Sequence, residues 1–120
     1  MSDFARIDEV MLWVQDLARS IAFYEQTLSI PVADRNPNYT RLVLAGTGIA
    51  LRPSRSKRPI HAQTGPELVF RVADIHATHK RLADAGVPFD KPPFRPQPDR
   101  DVWLAFFHDP DGNRLQLVQG

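Results

Sequence analysis

The stretch IDEVMLWVQDLARSIAFY, residues 7–24, decides the fold. Across residues 7–14 the side chains alternate, with aliphatic residues on one face of a strand and Glu9 and Trp13 on the other. Asp16 then provides an N-cap for an amphipathic helix of about three turns. The apolar residues of that helix are Leu17, Ile21, Tyr24 and Leu28. The stretch therefore predicts a strand with two chemically different faces. A helix follows directly and is expected to pack on the aliphatic face.

The second half of the chain repeats this pattern. Residues 67–72 predict a strand, Asp74 an N-cap, and a helix that ends at Gly86 follows. The halves align Glu9 with Glu67, Val14 with Val72, Asp16 with Asp74, Leu17 with Ile75, and Leu51 with Leu117. Each half has a strand, a helix and two or three strands, a unit that cannot bury its sheet alone. The sequence predicts an internal duplication within one domain, residues 1–120, with modules at about 5–55 and 65–120.

Turn-forming residues separate the later strands of each half. Gly46-Thr47-Gly48 predicts a hairpin in the first half, and Asp109-Pro110-Asp111-Gly112-Asn113 predicts a tight turn between the last two strands. The 11 prolines cluster in residues 52–66 and 88–98, where they interrupt both helix and ladder. These two segments are therefore predicted to be long loops.

Composition excludes several classes of partner. The formal net charge of +1 gives no field that would favour nucleic acid or an anionic membrane. The absence of cysteine removes disulfides, thiolate metal sites and thiol nucleophiles. An acid near the amino terminus and the lack of any long apolar run predict a cytoplasmic protein with no membrane association.

In their order and spacing, residues 7–24 and 109–117, together with the duplication, resemble the vicinal oxygen chelate superfamily. This is the group of glyoxalases, bleomycin-resistance proteins and extradiol dioxygenases. The resemblance covers nearly the whole chain. It implies an α+β fold of duplicated βαβββ modules, whose eight strands form an open cup. It also implies a homodimer with two cups, and a small molecule as the partner.

The same resemblance implies where a metal would bind. Metal-dependent relatives use four cup-facing ligands, mostly His, Glu or Gln, from the first and last strands of each module. The matching positions here are Glu9, Ala50, Glu67 and Gln116. Histidine is missing from both first strands, and alanine cannot ligate. One hypothesis is therefore a hard cation, magnesium, manganese or calcium, held by the oxygens of Glu9, Glu67 and Gln116.

The competing hypothesis is a self-compensated charge network. Alternation places Arg52, Arg71 and Arg114 on the same side as Glu9 and Glu67. An arginine pairs bidentately with a carboxylate and takes the lone pairs that a metal needs. We therefore expect at least one of the two glutamates to pair with one of these arginines.

Aromatic and basic residues are candidates for ligand binding. Trp13 alternates with Glu9, and with Trp103 and Phe107 it could offer flat faces for stacking. Two basic clusters in the loops could attract an anionic ligand or be ordinary solvated charges. They comprise Arg52, Arg55, Lys57 and Arg58, and then Lys91, Arg95 and Arg100. The pair His76 and His79 on the second helix is expected to face solvent. His61 lies in the first proline-rich loop, and His108, at a strand end before the turn, is expected near the rim of the cup.

Two function classes follow, with a third fold kept as an alternative. The first is a metal-independent binding protein of the bleomycin-resistance type. The second is a lyase, isomerase or dioxygenase-like enzyme, which uses a cation or Glu9 or Glu67 as general base. No glycine-rich phosphate loop follows a strand, so no nucleotide cofactor is expected. A dimeric ferredoxin-like αβ-barrel would instead show four sheet strands per chain.

Overall fold

The computed structural model describes Asp3, residues 6–54 and residues 67–120. The chain divides into two compact units, Met1–Arg58 and Pro59–Gly120. Each unit combines helix with sheet, as the predicted α+β class requires. Among the described residues, no helix has the length and apolarity needed to span a bilayer. The predictions for Arg55, Lys57, Arg58 and His61 lie outside the described residues.

Unit 1 begins with a strand and a helix and ends with the strand that pairs with the first. Its elements are β1 (Glu9–Val14), α1 (Leu17–Ile21), a π-helical segment (Ala22–Thr27), β2 (Val32–Asp34), β3 (Thr40–Leu44) and β4 (Thr47–Pro53). The sheet order is β1-β4-β3-β2. β1 runs parallel to β4, and the other neighbours are antiparallel. The helix therefore serves as the crossover of a parallel pair.

Unit 2 repeats this plan in a shorter form. Its elements are β5 (Leu68–Arg71), α2 (Ile75–Asp84), β6 (Trp103–His108) and β7 (Arg114–Gln119). The sheet order is β5-β7-β6, with β5 parallel and β6 antiparallel to β7. In both units the first strand pairs in parallel with the last, across a helix. The predicted duplication is confirmed.

The strand count differs from the expected eight. The described ranges contain seven continuous strands. In unit 2 the backbone between α2 and β6 pairs with β6 only through isolated bridges, Phe89 with Phe107 and Phe94 with Leu104. Prolines in this segment lack the N–H that a continuous ladder needs. Seven strands in two sheets also make the ferredoxin-like alternative, with four, wrong.

Helix starts follow the sequence signals. The Asp16 carboxylate accepts a hydrogen bond from the Arg19 amide at 3.1 Å, and Asp74 accepts one from the Ala77 amide at 3.1 Å. Each carboxylate satisfies an amide that has no partner inside its helix. After α2, Gly86 has φ +93°, the left-handed conformation that glycine adopts at a helix end. These three signals are confirmed.

Burial confirms the predicted register of the strands. Leu12 and Val14 on β1 are buried, whereas Met11 and Trp13 between them are exposed. Six residues are predicted to be buried against the helices, and three are: Leu12, Leu115 and Leu117. The other three, Val10, Leu68 and Phe70, are partly exposed. The faces are therefore right, but burial is incomplete towards the starts of β1 and β5.

The first-half hairpin turns one residue earlier than predicted. Ala45 and Gly46 have φ of 50° and 86°, and Leu44 pairs with Thr47 across them. Two consecutive positive φ values define the type I′ geometry that matches strand twist. Thr47 and Gly48, which the sequence places in the turn, belong to β4.

The second turn is built on Asp109, whose residue surface is only 5% exposed. Its carboxylate accepts hydrogen bonds from the amides of Asp111 (2.9 Å) and Asn113 (2.8 Å). The side-chain amide of Asn113 donates a further bond at 2.8 Å. The predicted tight turn is confirmed, and Asp109 holds it in place.

Candidate functional site

The face of the unit 1 sheet that is turned away from α1, here called the open face, displays large apolar side chains. Trp13 is 48% exposed and Met11 is 40% exposed, although both belong to a regular strand. Alternation along β1 forces this arrangement, because Leu12 and Val14 use the other face for the core. The open face is therefore an exposed apolar surface on a rigid sheet.

A compensated carboxylate lies at one end of this face. The Tyr39 hydroxyl donates to Glu9 Oε1 at 2.7 Å, and Arg41 Nε donates to the same oxygen at 3.2 Å. Arg41 also donates to the main-chain carbonyl of Asp8 at 3.3 Å. Side-chain exposure is 24% for Arg41 and 23% for Glu9, so the pair is largely shielded from water. Glu9 is neutralised by an arginine, but by one from β3 that the sequence analysis did not single out.

The Glu9 pair depends on a glycine in β4. Gly48 lies opposite Glu9 in the parallel register. A Cβ at Gly48 would lie 2.7 Å from Arg41 Nε, closer than real Cβ contacts allow. Gly48 therefore leaves the space through which Arg41 reaches Glu9. The hydrogen bond to Glu9 also raises the pKa of the Tyr39 hydroxyl above its ordinary value, with burial and the Glu9 charge adding to the effect and Arg41 opposing it.

At the other end of the face a tryptophan and an arginine are stacked. Trp13 and Arg52 are direct neighbours in the β1–β4 register. The Arg52 Cζ lies 5.2 Å from the centre of the indole ring, which is cation–π geometry. Both residues were predicted to bind ligand, and the structure brings them together.

In unit 2 the face turned away from α2 carries a row of alternating cations and rings. Arg114 Nη1 lies 3.4 Å from a Glu67 carboxylate oxygen, and its Cζ is 4.1 Å from the Phe106 ring centre. Phe106 lies 6.1 Å from Phe94, and the Lys91 ammonium is 3.8 Å from the Phe94 ring centre. The expected pairing of a glutamate with Arg114 is confirmed, and its partner is Glu67. Side-chain exposures of 32% and 30% make this pair less buried than expected.

Two more residues that were predicted to bind ligand, Trp103 and Arg71, lie in unit 2. Trp103 lies on the helix side of its sheet, where its ring centre is 4.6 Å from that of His76. The strand register explains this position. Phe106 pairs with Gln116 and faces away from the helix, and Trp103, three positions earlier on the same strand, faces the opposite side. Arg71 is exposed and donates to the Gly120 carbonyl at 2.9 Å.

The helix side of unit 2 also corrects the histidine prediction. His76 packs on Trp103 as described, and His79 lies 4.6 Å from the Phe89 ring in an edge-to-face contact. Phe107, the third predicted stacking residue, is fully buried. His79 and Phe107 are thus packing residues, whereas His76 is exposed but has an aromatic contact.

Unit 1 also has a groove on the helix side of its sheet. This groove of about 400 Å³ is lined by Leu17, Ala18, Ile21, Arg35, Asn36, Pro37 and Thr40. Its one charged lining residue, Arg35, forms a salt bridge with Glu25, which lowers the Glu25 pKa through a hydrogen bond. The groove therefore presents no uncommitted charge from the described residues.

The sequence model of the Glyoxalase/Bleomycin resistance protein/Dioxygenase superfamily matches residues 6–117. The chain belongs to this superfamily. "Uncharacterized protein YraH" from Bacillus subtilis (strain 168) is 27% identical over 126 residues, which cover 92% of this chain and 95% of that protein. A superfamily member from Sphaerobacter thermophilus DSM 20745 has a similar structure, with a TM-score of 0.80, 28% identity and 98% coverage of both chains. Lactoylglutathione lyase from Agrobacterium tumefaciens gives a TM-score of 0.78 at 19% identity, covering 99% of this chain and 96% of the lyase, a likeness of fold alone.

The superfamily includes metal-dependent members, but the matching positions here do not fit a divalent cation. Glu9 Oε1 already accepts two hydrogen bonds, and Glu67 faces the Arg114 guanidinium. Ala50 has no donor atom, and Gln116 is a neutral amide. Across residues 6–54 and 67–120, no three His, Cys, Asp or Glu side chains are grouped to hold a metal ion. Arginines that face both carboxylates oppose a second cation there.

Sequence reasoning missed the partners that lie on β6 and on or next to β3. Tyr39 and Arg41 flank Thr40, which is fully buried, so their side chains alternate onto the open face. Phe106 follows the same rule between Ala105 and Phe107. The alternation was present in the sequence, but it becomes informative only once the strand register is known.

Proposed function

We propose that this superfamily member binds a small organic molecule on the open face of unit 1, and that it does so without a metal ion. The observation that supports this most is the half-exposed Trp13, fixed on a regular strand and stacked with Arg52. Met11, also exposed, adds an adaptable apolar surface on the same strand face. An indole, a thioether and a guanidinium together suit a ligand with both a flat apolar part and a polar part.

The energy available from this surface is considerable. A tryptophan contributes roughly 250 Å² of area, so covering the exposed half of Trp13 would remove about 120 Å² from water, or about 3 kcal/mol. The binding free energy must first offset the entropy that the ligand loses on association. Stacking on Trp13 helps to offset this cost, because the strand already holds the indole in place.

The proposal is tested by isothermal titration with a panel of small aromatic compounds, neutral and anionic. We expect at least one to bind with unchanged Kd when EDTA is added. Trp13→Leu should weaken that compound at least about tenfold, the loss expected for a stacking contact plus its buried area. Trp103→Leu is the matched control, since it makes the same change on the helix side of unit 2.

Three results would contradict the proposal. They are binding that disappears with EDTA, binding that Trp13→Leu leaves unchanged, and the failure of every panel compound to bind. Metal analysis of protein purified without chelators provides an independent check, because near-stoichiometric divalent ion would favour a metal-dependent enzyme.

The proposal includes a homodimer. β1 and β5 are edge strands of their sheets, and exposed edges invite pairing unless they are covered. Exposed apolar residues on and beside these strands, including Ile7 and Val69, favour a protein neighbour. A symmetric dimer is the commonest assembly that covers such surfaces. Light scattering at micromolar concentration should give twice the chain mass of 13.6 kDa, and the monomer mass would contradict this.

A further inference from the structure

The charges on the open face of unit 1 are not all compensated. Glu9 pairs with Arg41, and Arg41 also lies 3.8 Å from the Asp8 carboxylate. Asp8 has a second partner in Arg6, at 3.2 Å. Arg52 is different, because within the described residues its guanidinium contacts the indole ring of Trp13, which carries no charge. Among the described residues, one positive charge on this face therefore has no carboxylate partner.

A guanidinium stacked on an indole keeps its donors available. The Arg52 Cζ lies over the indole at 5.2 Å, and among the described residues no hydrogen bond or ion pair occupies the five N–H donors of this guanidinium. The stack also fixes the guanidinium, so less side-chain freedom is lost when it forms hydrogen bonds. Arg52 is exposed, so an anion can reach these donors from solvent.

We infer that the ligand of this face is a planar aromatic carboxylate, whose carboxylate pairs with Arg52 and whose ring lies against Trp13 and Met11. This inference rests on the proposed function and adds the chemical class of the ligand. The planar carboxylate matches the fork of the guanidinium, because its two oxygens accept two parallel hydrogen bonds from the guanidinium N–H groups. The ring matches the exposed indole beside it.

The charge count favours a carboxylate over a phosphate ester. A phosphate monoester carries close to two negative charges at neutral pH. Among the described residues, the open face offers one uncommitted cation, since Arg41 already compensates Glu9. A dianion would therefore bring one charge for which the described residues offer no cation.

The test uses four probes in isothermal titration: 2-naphthoate, neutral 2-naphthamide, 2-naphthyl phosphate and non-aromatic cyclohexanecarboxylate. Wild-type protein should bind 2-naphthoate at least about tenfold more tightly than 2-naphthamide, the difference expected for one charge-assisted pair. Arg52→Gln should remove that preference and leave 2-naphthamide unchanged. Arg100→Gln, the same charge change in an exposed loop of unit 2, should leave the preference intact. Cyclohexanecarboxylate and 2-naphthyl phosphate should both bind more weakly than 2-naphthoate.

The outcomes separate this inference from the proposed function. Equal binding of 2-naphthoate and 2-naphthamide, both lost in Trp13→Leu, would overturn the anion assignment and leave small-molecule binding standing. A preference for 2-naphthoate that survives Arg52→Gln would overturn the role of Arg52, and tighter binding of 2-naphthyl phosphate would overturn the carboxylate. If none of the four probes binds, both proposals fail for aromatic ligands of this size.

Discussion

Replacing Gly48 with alanine tests whether the space above this glycine holds the Glu9 pair together. The new Cβ would lie 2.7 Å from Arg41 Nε and 2.8 Å from Cζ, so the guanidinium must move. It can do so, because it is the far end of a flexible side chain. The backbone at Gly48 is not strained, since its φ is not positive. The substitution should therefore lower the free energy of unfolding by about the contribution of the Arg41–Glu9 ion pair.

The magnitude follows from burial. Breaking a fully buried ion pair costs about 3–5 kcal/mol, and an exposed pair contributes under about 1 kcal/mol. Side chains that are 24% and 23% exposed lie between these limits, so the loss should be about 1.5–2 kcal/mol. Alanine restricts the unfolded chain and returns about 0.5 kcal/mol. The net destabilisation should be about 1 kcal/mol, or about 3–5 °C in Tm for a chain of this size.

A double-mutant cycle in urea provides the assay. Gly48→Ala is measured in wild type and in Arg41→Met, which has no guanidinium to displace. In the Arg41→Met background the glycine substitution should be neutral or slightly stabilising. An equal loss of stability in both backgrounds would refute the explanation, because the clash would then involve something other than Arg41.

Three further predictions concern single side chains. Because the pKa of Tyr39 is raised in the folded state, its contribution to stability is complete below about pH 10 and is lost as pH rises through the folded value. Wild type should therefore lose more stability than Tyr39→Phe between pH 8 and pH 11, as measured by urea denaturation; parallel curves would contradict this. Arg114→Met removes a half-exposed pair with Glu67 and a ring contact, so it should cost about 1–2 kcal/mol in the same assay. Asp109→Ala removes a buried acceptor of three hydrogen bonds and should cost about 2–4 kcal/mol, with a loss under 1 kcal/mol showing that the turn holds without it.

Local signals predicted much of the fold. Asp16 and Asp74 cap helices because a carboxylate one position before a helix satisfies the same amide wherever it occurs. Leu12 and Val14 are buried because alternation in a strand leaves no other face for them. These rules act within a few residues, so a single sequence contains all the information that they need.

The site was less predictable because it depends on pairing between distant strands. Arg41 reaches Glu9 only because β4 lies between β1 and β3 and carries a glycine at the crossing point. The face on which Trp103 lies could not be predicted, because the start and phase of β6 could not be counted from the proline-rich segment before it. Arg52 and Trp13 were proposed as binding residues from residue type and alternation, but their stacking follows from the parallel register.

The position of β7 has a consequence for the synthesis of the chain. β7 is the central strand of the unit 2 sheet, with β5 on one side and β6 on the other, yet it is made after both of them. Until the ribosome has released Arg114–Gln119, β5 and β6 have no strand between them to join. Unit 1 is organised in the same way, since β4 joins β1 to β3. A messenger RNA truncated before the codon for Arg114 would therefore yield a chain that can complete the unit 1 sheet but not the unit 2 sheet. Such a chain would be a target for proteolytic quality control.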